Sequence, residues 1–379
     1  MGDLSGITVV SLEQAVAAPY VSGRLAEAGA RVIKIERPEG DFARGYDQFV
    51  LGQSAYFVWL NAGKESVTLD LRDDNDKALL RKMLATADVF IQNLAPGALA
   101  RLGFDPELLR VQHPALVICS ISGYGEEGPY QLQKAYDLLI QAETGLCSIT
   151  GIGEELTRVG VSVSDISAGM TAYQSILQAL FARERDPDRA GRLINVSLFH
   201  STADWMNVPY LQHRYGHFTP ANHGLKHPSI APYGAFTCSD GKAVLISIQN
   251  EREWQALCEQ VFQNAGLATD SRFQDNAARV AHRQALDELV GQYFIGFTRD
   301  HMIKLLDDAR IAFGRLSDLD DLQHHPQNRY RKIETHDGIV EALGRGAVTS
   351  SDVPVTLKLA ALGEHNHPLR VEFGKPQAE

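Results

Sequence analysis

Cysteine is scarce in this 379-residue chain, and the four present, Cys119, Cys147, Cys238 and Cys258, form no C-x-x-C pair. That spacing argues against a disulfide framework and against a zinc-thiolate site, and no metal is expected. Cys119 lies in an apolar, strand-like run and reads as a buried thiol. Positive charge is also in short supply: 36 Lys and Arg stand against 47 Asp and Glu, a net charge of -11. A broad nucleic-acid or anionic-membrane surface does not fit that balance, although a local basic pocket does. No charged leader with an apolar stretch opens the chain, and no apolar run is long enough to cross a bilayer, so a cytoplasmic protein is expected. What is present, 44% hydrophobic and 22% charged residues, suits a globular enzyme. The length exceeds what one hydrophobic core usually holds, which predicts two domains.

The first two hundred residues alternate strand and helix patterns. Buried strands are expected at 7–12, 31–35, 67–71, 89–92, 116–122 and 193–197, with helices at 76–87 and 167–185 among those between them. This alternation predicts an α/β fold, a large Rossmann-like domain with a mostly parallel sheet covered by helices. A His-, Gly- and Pro-rich stretch from His213 to Tyr233 reads as a linker or active-site loop. Beyond it, two strand-like runs flank Ser239-Asp240-Gly241, a hairpin pattern in which Gly supplies the positive φ. Helical patterns over 251–308 complete a smaller α+β domain. The boundaries expected are 1–212 for the large domain, completed by 326–379, and 213–325 for the small one.

One motif is conspicuously missing. A strand, a helix and a second strand ending in Glu36 invite a dinucleotide-binding reading. Yet the first strand-to-helix turn, Glu13-Gln14-Ala15-Val16-Ala17-Ala18-Pro19, contains no glycine. A pyrophosphate needs close backbone approach there, so nicotinamide dependence is not expected. No G-x-x-x-x-G-K-[ST] loop for a nucleoside triphosphate occurs either.

Several segments, in order, carry a family likeness. They are Gly6-Ile7-Thr8-Val9-Val10 with Ala17-Ala18-Pro19, then Ala30 to Pro38, Asn61-Ala62-Gly63-Lys64, Leu69-Asp70-Leu71, and Asn93 to Gly97 with Arg101-Leu102-Gly103. Ser122-Gly123-Tyr124-Gly125, Ser164 to Gly169, and Leu362-Gly363-Glu364-His365 follow. In these the chain resembles the class III CoA-transferases, the group of formyl-CoA transferase, carnitine CoA-transferase and the acyl-CoA racemases. The likeness covers the N-terminal half and the C-terminal tail, and is weakest over about 199–305. It implies that family's fold, an interlocked homodimer, coenzyme A or acyl-CoA as substrate, a carboxylic acid as acceptor, and no permanently bound cofactor.

By position alone Asp165 reads as a helix N-cap, a role aspartate fills well. The resemblance instead makes it the nucleophile that attacks the acyl-CoA thioester. It also implies a CoA footprint of Val16, Ala17, Arg37, Leu69, Arg72, Asn93, Leu94, Arg101 and Lys134, with the cations facing phosphates. Tyr136-Asp137 falls where the racemases carry a His-Asp pair. A phenol ionises only at about pH 10, a poor general base at neutrality, so transferase is favoured over 2-methylacyl-CoA racemase. The glycine-run lid of formyl-CoA transferase is absent. His223 to Gly234 replaces it, and Ile311 to Arg315 replaces a proline-rich turn. Both resemble the branch acting on C4 to C5 dicarboxylates such as itaconate, mesaconate, citramalate or succinate. For the acceptor's second carboxylate the sequence offers Arg44 and Arg315, with His227 as an added donor and Tyr136 and Asp137 in the same pocket. A catalytically silent CoA-binding protein is the reading from another class, and the retained Asp165 opposes it.

Overall fold

The computed structural model describes residues 2–218, 222–350 and 355–374. They form two compact units. The first comprises 1–147, 158–211 and 329–379, and the second 148–157 and 212–328.

The first unit is built on six parallel strands: β1 (Thr8–Leu12), β2 (Arg31–Glu36), β3 (Glu65–Thr68), β4 (Val89–Gln92), β5 (Val117–Ser122) and β6 (Leu193–Ser197). Their spatial order is β3-β2-β1-β4-β5-β6. Alternation along β1 explains why both faces need cover. Val9 joins a core with Val21, Ile91, Cys119 and Ile176, while Val10 joins another with Ile33, Leu80, Phe90 and Ile118. Strands buried on both faces read as continuous apolar runs, as β4 and β5 do. Helix α1 (Ala17–Glu27) and the long α5 (Val163–Arg185) share one of these cores, α2 (Ala55–Asn61) follows β2, α3 (Asp74–Leu84) packs in the other core, and α4 (Asp137–Glu143) precedes α5. Close approach of α5 to α1 depends on Gly169, because a Cβ there would lie 2.7 Å from the Tyr20 ring and 3.1 Å from the Ala17 carbonyl.

The edge strand β3 is not left open. Ser66 N–H donates to His365 Nδ1 at 3.1 Å, His365 N–H returns to the Ser66 carbonyl at 2.9 Å, and Thr68 N–H donates to Asn366 at 2.8 Å. The tail thereby covers an edge that would otherwise template pairing with another chain.

In the second unit β7 (Tyr233–Thr237), β8 (Ala243–Ser247) and β9 (Phe313–Arg315) form an antiparallel sheet. They pack on a core around Trp254, Phe273, Phe294, Met302 and Leu306. The hairpin at 239–241 forms, with Gly241 at φ 75°. Residues 311–315, read from the sequence as a turn, instead supply the third strand. The 213–233 stretch is not all loop: a helix, Asn207–Gly216, runs into it, and Asn222–His223 pairs with Gly151–Gly153. That pairing draws 148–157, expected in the large domain, into the second unit. Strand β3 starts and ends earlier than 67–71, because Asp70 accepts from Asp73 N–H in a turn. Helix α3 begins at Asp74 because the Asp73 side chain caps it.

Candidate active site

Strand order reverses between β1 and β4, so the chain leaves these neighbours in opposite directions and opens a crevice beyond their C-terminal ends. In open α/β sheets this is where ligands bind. Asn93, just past β4, spans the crevice: its amide oxygen accepts from Gln14 N–H at 3.0 Å and its amide nitrogen donates to the Gln14 carbonyl at 2.8 Å. Ala15 follows at φ 66°, a left-handed backbone usually left to glycine. Its N–H donates to Asp41 at 3.1 Å. Val16 and Ala17 then open α1, whose N-terminus has no side-chain cap and no acidic residue in its first turn. No acidic side chain of the helix itself therefore meets the positive end of its dipole.

Beneath the turn lies a polar group that sequence reasoning missed. Lys64 Nζ donates to Glu13 at 2.7 Å, and Lys34 Nζ donates to Asp41 at 2.8 Å and to Glu13 at 3.4 Å. Ser11 and Ser22 also donate to Glu13. All four charged side chains are buried. Burial alone would raise the Glu13 carboxyl, but Lys64 and Lys34 outweigh it and hold the pKa at about 2. The available signal was Lys34 itself, a lysine inside an otherwise apolar strand, which demands a buried partner.

The remaining CoA candidates lie at or near the same sheet end, with mixed commitments. Leu69 is buried just past β3, and Leu94 is half-buried past β4. Arg37, Arg101 and Lys134 are exposed, and no ion pair or side-chain hydrogen bond engages them among the described residues. Arg72 is different. It is exposed and bonded bidentately to Asp70, at 2.9 and 2.8 Å. Arg44 is likewise taken: it grips Glu36 at 2.8 Å through two nitrogens and stacks over Phe57 at 3.9 Å.

Asp165 sits in the first turn of α5 but does not cap it. Asp137 does, accepting from Ser164 N–H at 2.7 Å and Asp165 N–H at 3.4 Å, while its other oxygen accepts from Gln141 at 2.7 Å. This tertiary cap lets α5 begin at Val163, ahead of the expected 167. The Asp165 carboxylate is half-buried and, among the described residues, accepts no hydrogen bond and meets no cation. Burial first, and then the Asp137 charge, push its pKa up to about 7. Phenols gather nearby. Tyr56 Oη bonds Ser162 Oγ at 2.8 Å, just before α5, and Tyr46 packs edge-on against Tyr56. Burial, then Asp41, Asp165, Tyr136 and Tyr56, raise the Tyr46 hydroxyl to about 12. Tyr136 is exposed at the start of α4. Sequence reasoning missed Tyr46 and Tyr56, which lie outside every motif it used.

Two candidates belong to the second unit. His227 stacks on Tyr233 and accepts from Ser229 N–H at 3.2 Å, and burial followed by Arg283 lowers its pKa. Arg315 ends β9, half-exposed, 3.7 Å from Asp300. Among the described residues no helix is long and apolar enough to cross a membrane, and no cluster of His, Cys, Asp or Glu suits a metal ion.

Residues 4–366 match CoA-transferase family III. An acetyl-CoA:oxalate CoA-transferase of Acetobacter aceti is 35% identical over 388 residues, covering 100% of this chain and 97% of that protein. A succinate–glutarate CoA-transferase of Agrobacterium fabrum is 30% identical, covering 98% and 95%. A crystal structure of a CAIB/BAIF family protein from Brucella suis superposes with a TM-score of 0.84 at 32% identity, covering 98% of this chain and 99% of that one.

Proposed function

Because this chain belongs to CoA-transferase family III and is therefore a CoA-transferase, we propose that it moves CoA from an acyl-CoA onto a short-chain dicarboxylic acid through covalent forms of Asp165. The observation that carries the mechanism is the Asp165 carboxylate, which no hydrogen bond or cation engages among the described residues and which burial and Asp137 make more basic. A carboxylate oxygen attacks the thioester carbonyl, the C–S bond breaks, and a mixed anhydride and CoA thiolate result. The thiolate attacks the aspartyl carbonyl and expels the donor acid, leaving an aspartyl-CoA thioester. The acceptor carboxylate attacks that thioester, releasing thiolate and forming a second anhydride. The thiolate then takes the acceptor's acyl carbon and frees Asp165. No proton is gained or lost, and dividing the transfer lowers each barrier.

We assign coenzyme A to the crevice at the sheet's switch point, with Val16, Ala17, Leu69, Asn93 and Leu94 shaping it and Arg37, Arg101 and Lys134 meeting phosphates. Acceptors are taken to be dicarboxylates because the two relatives above are named for oxalate and for succinate and glutarate. Arg315 and His227 are proposed as carboxylate ligands in their own right, and Arg44 is committed to Glu36. A homodimer is part of the proposal, and exposed apolar side chains such as Phe181, Trp205, Val208 and Leu211 support it.

The test is to incubate the enzyme with an acyl-CoA donor alone, trap with hydroxylamine, and find the label by mass spectrometry on the peptide holding Asp165. Transfer by a folded Asp165→Ala protein would refute the nucleophile. A panel including oxalate, succinate, glutarate, itaconate and butyrate would rank acceptors, and butyrate winning would refute the dicarboxylate reading.

A further inference from the structure

Four charged side chains in a dry core are not the cheapest way to fill it. Well-packed apolar residues of similar volume are commonly as stable or more so. The group of Glu13, Lys34, Asp41 and Lys64 is no more than 2% exposed at any side chain, so it meets no substrate. What it does meet is backbone. Asp41 Oδ1 accepts from both Ala15 N–H at 3.1 Å and Ala43 N–H at 3.0 Å. Lys64 Nζ donates to the Pro19 carbonyl at 3.0 Å, within the first turn of α1. Lys34 fixes the second oxygen of Asp41 at 2.8 Å, so the carboxylate cannot turn away from Ala15.

In dinucleotide-binding folds glycines let the first turn adopt the backbone that a ligand needs. Here an alanine takes a left-handed conformation at φ 66°, a steric cost that glycine would not incur. We propose that Asp41, held by Lys34 and through Glu13 by Lys64, is a positioning residue for acyl-CoA binding that substitutes for the missing glycine by fixing Ala15. Its bond to Ala43 sets the following turn, Phe42–Gly45, in register with the same turn, and Tyr46 comes directly after. The proposal rests on the assignment of CoA to the crevice beside Val16 and Ala17.

The paired variant Lys34→Met/Asp41→Leu removes the acceptor without stranding a charge on either partner. Calorimetric titration with CoA should show affinity weakened by about tenfold, as expected if, of the two backbone hydrogen bonds removed, the one to Ala15 N–H is the one that bears on CoA. Adding Ala15→Gly to that variant should recover most of the loss, because glycine holds the left-handed backbone unaided. A merely structural role would not be rescued in this way. Arg183→Met, which breaks the separate ion pair with Asp88, should lower Tm without changing CoA affinity. If the paired variant fails to fold, Asp41→Asn keeps an acceptor for Ala15 but loses the charge and the Lys34 ion pair that hold it, so a smaller loss in the same direction is expected. Hydrogen exchange of the wild-type protein separates the two assumptions. Amides 15–17 unprotected by CoA would sink the site assignment. Amides protected by CoA, together with unchanged affinity in the variants, would overturn the positioning role alone.

Discussion

Replacing Asp165 by asparagine should make the protein more stable at pH 8 while abolishing transfer. The folded state raises this carboxyl to about 7, by burial first and then by the Asp137 charge. The unfolded chain therefore releases the proton near pH 4, and the folded chain holds it to about pH 7. Stability from this group is thus greatest below pH 4, falls as pH rises through that window, and stays low above it. Raising the carboxyl from about 4 to about 7 corresponds to about 4 kcal/mol at most, and solvent screening at its exposed edge reduces that to about 2. Asparagine carries no such penalty, so at pH 8 it should raise Tm by about 4 °C, whereas at pH 4 the gain should vanish. Thermal melts of both proteins across pH 4 to 8 read this directly. A gain that does not change with pH, or no gain at all, would refute the electrostatic account of Asp165. In the wild type, kcat/KM should rise with pH and level off above about 7, since only the carboxylate attacks.

Arg37→Ala and Arg101→Ala should each raise KM for acyl-CoA by about tenfold with kcat nearly unchanged, an effect that shrinks at high salt; steady-state kinetics at two ionic strengths checks this. With Tyr136 where a racemase would need histidine, a 2-methylacyl-CoA in deuterated water should show no appreciable α-proton exchange by NMR, and exchange as fast as transfer would favour the racemase. Arg315→Ala should raise KM for dicarboxylates selectively, leaving a monocarboxylate unaffected, as a competition assay would show. Glu13 has its folded pKa depressed to about 2, so its stabilisation is present above the unfolded value and lost as pH falls toward 2. Glu13→Gln should accordingly lower Tm at neutral pH and flatten the acid limb of the Tm–pH curve.

The sheet was legible because burial on two faces writes itself as apolar runs: β4 and β6 fall where the pattern set them, and the hairpin at Gly241 forms. What escaped was structure decided at a distance. Helix α5 starts at Val163 because Asp137, 27 residues upstream of Ser164, caps it, and no local pattern announces a cap supplied by another helix. Phe313–Arg315 is a strand because β8 offers it an edge, not because three residues show a period. At the site, resemblance pointed to Asp165 as a candidate, but residue type could not say which arginines were already ion-paired. Arg44 and Arg72 are spent on Glu36 and Asp70, while Arg37 and Arg101 are not, a distinction made by neighbours two to eight residues away.

Asp137 brings the two halves of this chemistry into tension. As a cap it anchors the first turn of α5, and the helix dipole there favours an ionised Asp165 by about 1 kcal/mol at most. As a second carboxylate it opposes that ionisation, and together with burial it outruns the dipole, since the Asp165 pKa stands near 7 rather than below its ordinary value. A more acidic Asp165 would be fully ionised at neutral pH but would be a weaker nucleophile and a better leaving group. A more basic one would bind the acyl group too well to release it. On the proposed mechanism, a carboxyl poised near neutrality by burial and by the group that sets its backbone could enter and leave both the anhydride and the thioester. Exchange of Asp137 for asparagine should therefore keep the cap, move the pH inflection toward acid, and leave transfer slower at its plateau.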